Sequence, residues 1–478
     1  MSVSHDVAPA PGGPEGDLGA FDGVLAGERP WRAERLAALL PGPELAAELA
    51  AGDLDASSDE ALLAAVVGFR RQAAWAEAGA AMVAAALSHR PAMNPEWPTV
   101  AGQVSVTDVT AEELAPALGC SRQAARRLVR DGRAFEGSLA ATGDALARGE
   151  LDVPRARVLV DALAEEPPAL AWEVQDQVLG GEVTRTVSQL QRPVAKALVI
   201  ADPSGASDRC RAAAERRRVD RPRPAPDGMA RWSALLPAAD AMRMDSTLDA
   251  LARTGRAAGD ERTLDQLRAD LLADLVLGRV PSAPGGRVEA RAEPSEASGP
   301  GEPRRGPVRA RIDVLVPWEV LAGISEEPGF LAGYGPIPAP VARELASDGT
   351  WRRILTDPPD GSGLDVGRTR YRPPAHLAEH VRARDRWCAR PGCSARAEVC
   401  DLDHTAEWDR DGGRTAHDNL GLLCERDHQV KTHGGAQMYQ PDPGVFYWRS
   451  PLGRLYRVVP GEDGYTLVAD PDPGVPPF

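Results

Sequence analysis

Six of the chain's eight histidines and four of its six cysteines fall between His376 and His433. An even scatter would put roughly one in eight of each there, so the crowding reads as a metal or catalytic centre. A block this small cannot bury enough apolar surface to hold itself together, and a bound ion is the usual substitute. The rest of the chain has to be read around that block.

The cysteines form a framework: Cys388, Cys393, Cys400 and Cys424, with Pro391 and Gly392 inside the first pair. Pro-Gly suits a tight turn that brings both flanking sulfurs onto one ion. A structural Zn²⁺ takes four tetrahedral ligands. Cys388, Cys393 and Cys424 supply three. Asp427, one helical turn beyond Cys424, supplies the fourth, with Cys400 as the competing candidate.

A second set of residues lies in DLDHTAEWDRDGGRTAHDNLGLLCERDHQVKTHGG, which starts at Asp401. Asp403 offers a hard oxygen and His428 an imidazole. Together they suit a divalent ion such as Mg²⁺ or Mn²⁺ with positions left open for water and phosphate oxygens. Such an ion stabilises the leaving oxygen in phosphodiester hydrolysis. His404 follows Asp403 and, on a strand, faces the opposite side, where it can take a proton from water. Asn419 is expected to orient His404 by a side-chain or backbone hydrogen bond. Gly412 and Gly413 supply a turn between two strands, and Leu420 to Thr432 is expected to be the helix carrying His428. The catalytic set is therefore His404, Asn419 and His428. Lys431, Arg384 and Arg386 are the candidate phosphate contacts. The block from Tyr371 to Gln440 carries ten Arg plus Lys against eleven Asp plus Glu, so any basic patch is local. His376, His380 and His417 read as surface or packing residues, and His433 as a residue supporting the site.

This block resembles the HNH endonuclease family, a hairpin plus a helix around one metal ion. Asp403-His404, Asn419 and His428 fall on its signature positions with matching spacing, and Cys388, Cys393 and Cys424 look like its common zinc knuckles. The resemblance implies that His404 is the general base and His428 a metal ligand. It also implies a nuclease acting on DNA, double-stranded above all. Asp427 departs from the pattern, since the family usually has His or Cys there. Upstream, ALARGELDVPRARVL (Ala145 to Leu159), RTLDQLRADLL (Arg262 to Leu272) and GYGPIPAPVARELASDGTWRRILTDP (Gly333 to Pro358) resemble the helical domain of unknown function (DUF222-type) that often precedes such modules in high-GC bacteria.

The expected fold is a mainly α N-terminal region plus a small α+β module of the HNH (ββα-metal) type with a zinc knuckle. Low aromatic content (5%) and abundant alanine favour helices. A tail spans residues 1–30 and a helical domain 31–280. A Pro-, Gly- and Ser-rich linker spans 281–308, an α/β continuation 309–372, the nuclease-like module 373–440 and terminal strands 441–478. Leu62, Leu63, Val66, Val67 and Phe69 recur at helical spacing, and Asp144 to Val160 and Glu261 to Leu277 read as amphipathic helices. Thr110 to Gly132 outlines a helix-turn-helix, with Glu113 at a capping-box position, Gly119 in the turn and Ser121 capping a second helix. That helix carries Arg122, Arg126, Arg127 and Arg130, either as a DNA-reading face or as a solvated one. Ala310 to Pro317 alternates like a strand, Gly333 to Pro338 reads as turn, and Val341 to Thr356 as helix. The net charge of −15 argues against non-specific coating of nucleic acid. No stretch is apolar enough for a membrane span or a signal peptide, so a cytoplasmic protein is expected. A catalytically inactive, zinc-stabilised nucleic-acid-binding or scaffold protein is the alternative function.

Overall fold

The computed structural model describes residues 29–98, 104–179, 185–277, 314–332, 334–347, 365–460 and 465–468. The expected tail up to residue 28, the linker of 281–308 and the helix end through Trp351 lie outside them. The described chain is mainly helical with small sheets. It divides into two compact units, one of residues 1–203 with 354–478 and one of 204–353. The helical stretch expected over 31–280 is thus shared between the units, and its first part packs with the C-terminal block.

In the first unit, two short helices (Ala33–Ala38 and Pro43–Ala50) lead to the long α1, Asp59–Ser88. Ser58 caps α1 by accepting from Ala61 N. Its buried residues include Ala61, Ala65 and Gly68 and then Ala74, Ala78, Ala81 and Ala85, two runs at the three- and four-residue intervals of a helix face. The helix expected from the spacing of Leu62, Leu63, Val66, Val67 and Phe69 forms, with Leu63, Val66, Val67 and Phe69 on its exposed side. Small residues win the buried side because a partner helix approaches closely. That helix is α3 (Arg122–Glu136), and a Cβ on its Gly132 would lie 1.9 Å from the carbonyl oxygen of Ala81.

The helix-turn-helix outline is present as α2 (Thr110–Leu118) and α3 (Arg122–Glu136). Gly119 ends α2 with φ +61°, a left-handed conformation that glycine adopts at little cost. Ser121 caps α3 by accepting from Ala124 N. The capping box does not form. Asp108 accepts from Thr110 N at the start of α2, while Glu113 is buried and accepts from Ser450 Oγ and Leu452 N. The helix expected over Asp144 to Val160 is two, α4 (Ala140–Ala147) and α5 (Val153–Leu163). Gly149, at φ +70°, breaks them, and Asp152 with Pro154 restarts the second. Helices α6 (Pro168–Leu179) and α7 (Val187–Ala201) complete a core built on Phe135, Leu139, Leu159, Leu163, Val174 and Val194.

The chain re-enters this unit through α8, Ala375–Asp385. Strands β1 (Cys400–His404) and β2 (Leu420–Cys424) pair antiparallel, Cys400 opposite Cys424 and His404 opposite Leu420. Helix α9, Glu425–His433, follows directly. The helix expected from Leu420 therefore starts five residues late, because Leu420, Leu422 and Leu423 are fully buried and extend against β1. Beyond it, β3 (Gln437–Asp442), β4 (Val445–Arg449), β5 (Leu455–Val458) and β6 (Tyr465–Leu467) form an antiparallel meander. Phe446 of β4 lies over Gly421, where a Cβ would meet its ring at 2.6 Å. Met93 and Val109 from the N-terminal part share this core with Leu377, Leu422 and Trp448.

The second unit holds helices Pro203–Glu215, Ala238–Ala257 and Leu264–Leu277, the last burying Leu267 while Leu275 is exposed. It also holds a sheet in which Gly329–Leu331 pairs with both Val314–Leu315 and Gly335–Ile337. The turn expected at Gly333 to Pro338 is therefore in part a strand. Ala339–Ser347 is helical. Among the described residues no helix is long and apolar enough to cross a membrane.

Candidate metal centre and the site beside it

The Pro391-Gly392 turn forms as its chemistry dictates. Gly392 sits at φ +70° and Cys393 N donates to Arg390 O, as in a type II turn with Pro in second place. Cys388 N donates to Ala395 O and Ala389 N to Leu422 O, which tie the loop to β2. Cys424 ends β2 at the start of α9. The result gathers Cys388, Cys393, Cys424 and Asp427, whose ligand atoms all lie within 4.8 Å of one another. Four donors on a tetrahedral ion with bonds of about 2.3 Å sit about 3.8 Å apart, so this group can hold a metal ion. Cys400 is buried nearby but its Sγ faces Ala395 O, outside the group. Crowding splits the thiols: burial pushes Cys388 up, while hydrogen bonds from Cys388 and Cys393 hold Cys424 far below the ordinary thiol range.

Asp427 is fully buried and faces two ways. Its Oδ2 lies 3.0 Å from Cys424 Sγ and 3.3 Å from Cys388 Sγ. Its Oδ1 pairs with Arg122 of α3 and lies 3.5 Å from Arg390 Nε. Glu112 of α2, also buried, accepts from Arg426 Nε at 2.5 Å and pairs with Arg122 and Arg126, while Arg390 donates to the Glu112 carbonyl. Burial pushes the Glu112 carboxyl up, but the Arg426 hydrogen bond and the charges of Arg426, Arg390 and Arg122 outweigh it and hold it below its ordinary value. Helix α9 is thus fastened at its start to α2 and α3. At its end His433 stacks on Trp97 with ring centroids 4.0 Å apart. Nothing in the local sequence signals this network, because its partners are some 300 residues apart: |i−j| is 305 for Arg122–Asp427 and 314 for Glu112–Arg426.

The second set assembles beside the cluster. Asp403 and His404 end β1, both buried, and α9 brings His428 Nε2 to 3.1 Å from Asp403 Oδ1. Lys431 Nζ lies 2.6 Å from Asp403 Oδ2, 2.6 Å from His404 O and 2.9 Å from Glu407 Oε1. Those three partners match the three donors of an ammonium group, so contact with a phosphate requires one to open. Burial pushes the Asp403 carboxyl up, but the His428 hydrogen bond and the Lys431 charge hold it below the ordinary range. The same hydrogen bond raises His428.

His404 Nε2 is 2.9 Å from Thr415 Oγ1, and that hydroxyl donates to Arg370 O at 2.7 Å. With its one proton committed there, the hydroxyl accepts from Nε2–H, which leaves Nδ1 as the ring's lone-pair nitrogen. Burial, opposed by Asp403 and aided by Lys431, pushes His404 below the ordinary imidazole value. Tyr371 stacks on the ring at 5.2 Å and Trp408 approaches at 5.7 Å. Asn419 acts on the loop and not on the His404 side chain. Its Oδ1 accepts from Ala406 N, its Nδ2 donates to Arg414 O and Ala406 O, and its carbonyl accepts from Thr405 N. Gly413 lies beneath it, where a Cβ would sit 1.9 Å from Ala406 O. Arg384 brackets the same loop, binding Asp385 and donating to His417 O and Leu420 O. Arg386 closes α8 at φ +62°. His380 and His417 meet edge to face at 6.1 Å. Thr415, Tyr371 and Trp408 were not singled out by the sequence, and Glu407, close to His404 in an acid-rich turn, had no role assigned.

The family described as "Domain of unknown function (DUF222)" matches residues 95–385. The chain belongs to the DUF222 family. The match takes in Glu112, Arg122 and Arg126, and stops before the first cysteine of the cluster. Two relatives of this DUF222 chain are Mycobacterium tuberculosis proteins named only as uncharacterized. Rv2100 is 33% identical over 264 residues, with 48% of this chain and 46% of the relative covered. Rv3776 is 32% identical over 249 residues with the same shares. The chain spans about half the length of the curated relatives it matches. No solved structure matches.

Proposed function

We propose that the protein is a metal-dependent endonuclease that hydrolyses DNA phosphodiesters through an HNH-type site formed by β1, β2 and α9. The observation that carries this reading is the placing of His428 Nε2 3.1 Å from Asp403 Oδ1, with the buried His404, whose imidazole burial holds below its ordinary value, next in sequence to Asp403. Two neighbouring ligands of one small divalent ion, each about 2.1 Å from it, lie about 3 Å apart, so Asp403 and His428 fit as its holders. Mg²⁺ or Mn²⁺ there would supply stabilisation of charge on the phosphate and the leaving 3′ oxygen. His404 Nδ1 takes the proton of the attacking water as the new P–O bond forms and the P–O3′ bond breaks, and solvent protonates the leaving oxygen. Asn419, Thr415 and Tyr371 hold the ring and its loop. The four-residue cluster fits Zn²⁺: three thiolates and a carboxylate around a divalent ion leave two negative charges, and Arg122 and Arg390 face them. Six free cysteines accord with a reducing, cytoplasmic setting.

A plasmid-nicking assay with and without Mg²⁺ or Mn²⁺, comparing native protein with His404→Ala, tests the reading. Metal-dependent cutting that the substitution abolishes supports it. One observation favours a second reading, a non-catalytic nucleic-acid-binding or scaffold protein: Lys431 already pairs with Asp403 and Glu407, where a metal ion would otherwise take the carboxylate. Absence of cutting by folded, zinc-loaded native protein would select that alternative.

A further inference from the structure

Away from the metal cluster, α3 and α5 enclose an open cleft of about 450 Å³ lined by Gln123, Arg126, Arg127, Arg130, Arg157 and Asp161. Four guanidinium groups line it against one carboxylate. Residues 123, 126, 127 and 130 stand at i, i+3, i+4 and i+7, so they form one face of α3 about 10 Å long. The arginines are only partly neutralised. Arg130 pairs with Asp161 at 2.6 Å and Asp131 at 3.1 Å, and Arg157 lies 3.4 Å from Asp131. Arg126 reaches Glu112 at 3.3 Å, a carboxylate already held by Arg122 and Arg426. Arg127 has no ion-pair partner among the described residues. Burial and the nearby charge of Arg426 make Arg126 easier to deprotonate than an ordinary arginine, as cationic crowding requires.

The cleft also has a direction. Arg426 on α9, two residues before His428, neighbours Arg126, and Arg126 leads along α3 to Arg127 and Arg130 and across to Arg157. Arg122, at the start of α3, is turned inward onto Asp427. A docking of the α3 N-terminus into the major groove, as in a helix-turn-helix reader, is therefore not available without breaking that pair. What α3 presents outward is its flank, and a row of guanidinium forks suits phosphate oxygens.

We propose that the α3–α5 cleft binds the phosphodiester backbone of double-stranded DNA and leads it toward α9, with Arg127 and Arg157 as direct phosphate contacts. The choice of DNA rests on the nuclease reading, whereas anion binding by the cleft does not. Each phosphate contact in B-DNA adds about 0.9 to the slope of log K against log salt, which is worth about tenfold in affinity at 0.1 M salt. The probe is a fluorescein-labelled 20-base-pair duplex, read by anisotropy on the full chain over a salt series without added divalent cation. Arg127→Glu and Arg157→Gln are each expected to weaken binding about tenfold, the double variant to lower the slope by about two, and Arg127→Lys to stay near native. Thermal melting of Arg127→Glu should match the native protein, since no pair is lost. A double variant with native affinity and slope overturns the proposal, as does tighter binding of an RNA duplex of the same sequence or no duplex binding by native protein. The nuclease reading fails separately: native protein that binds through the cleft but never nicks plasmid leaves the cleft standing. Nicking with unchanged DNA dependence in the double variant removes the cleft and keeps the nuclease.

Discussion

Replacing Arg122 with Met keeps the apolar stem of the side chain and removes its charge from a fully buried carboxylate. Asp427 Oδ1 would retain only Arg390, 3.5 Å away. Breaking a buried ion pair by removing one partner costs about 3–5 kcal/mol. The low end applies here, because Arg390 remains and Oδ2 still faces the sulfurs. With zinc bound, loss of a residue that supports a ligand typically lowers metal affinity about 10–100-fold, which is about 1.4–2.7 kcal/mol. Arg122→Met is therefore expected to release zinc to a chromophoric chelator at about 10–100-fold lower chelator strength. It should also melt several degrees below native protein, the remaining deficit falling on the contact of α3 with α9. The chelator titration and a melting curve, each run on native and variant, measure both effects. Equal zinc retention together with an unchanged melting temperature would show that Asp427 does not depend on Arg122, and the charge-balance argument for the cluster would fall.

Other outcomes follow from the same geometry. Glu112 has a folded-state pKa below its ordinary 4.5, so its contribution to stability is present above that value and is lost as pH falls through the depressed one. Glu112→Gln should melt lower than native at pH 7 and lose less between pH 5 and 3; parallel curves would refute this. Gly132→Ala should cost about 1–3 kcal/mol in urea unfolding, because its Cβ would overlap Ala81 O at 1.9 Å. Gly79→Ala, on the open side of α1 with nothing within 4 Å, should be neutral or stabilising by up to about 1 kcal/mol. A similar loss at both positions would rule out close α1–α3 packing as the cause.

What the sequence disclosed was local. The Cys388–Cys393 turn, the Cys424–Asp427 step and the Asp403-His404 pair are set by neighbours in the chain, and their chemistry forecasts their placement. The Leu420 strand was misread because a short buried apolar run fits helix and strand alike. The helix of α1 was legible in the spacing of Leu62, Leu63, Val66, Val67 and Phe69, but its buried face was not, because helices that nearly touch need alanine and glycine there. Glu113 read as a cap, Arg122 as part of a DNA-reading or solvated face and Glu112 as nothing in particular, because their partners Ser450, Asp427 and Arg426 lie more than 300 residues later. Tyr371 and Thr415 acquire a role only once the 365–371 segment folds against the loop after β1.

The reach of those contacts sets a timetable for biosynthesis. Arg390 follows Glu112 by 278 residues, and a ribosome adding roughly 5–20 residues per second needs about 14–56 s to make them. Throughout that interval α2 and α3 are complete, yet Glu112 has only Arg122 and Arg126 of α3 beside it, and Glu113 still lacks Ser450 and Leu452. Carboxylates are well hydrated, so this unfinished face remains soluble while it waits, where an apolar one would invite aggregation. Translation itself thus orders the assembly: the helical hairpin stands first, the cysteine loop follows it, and a metal ion at the cluster could be enclosed only after both are made.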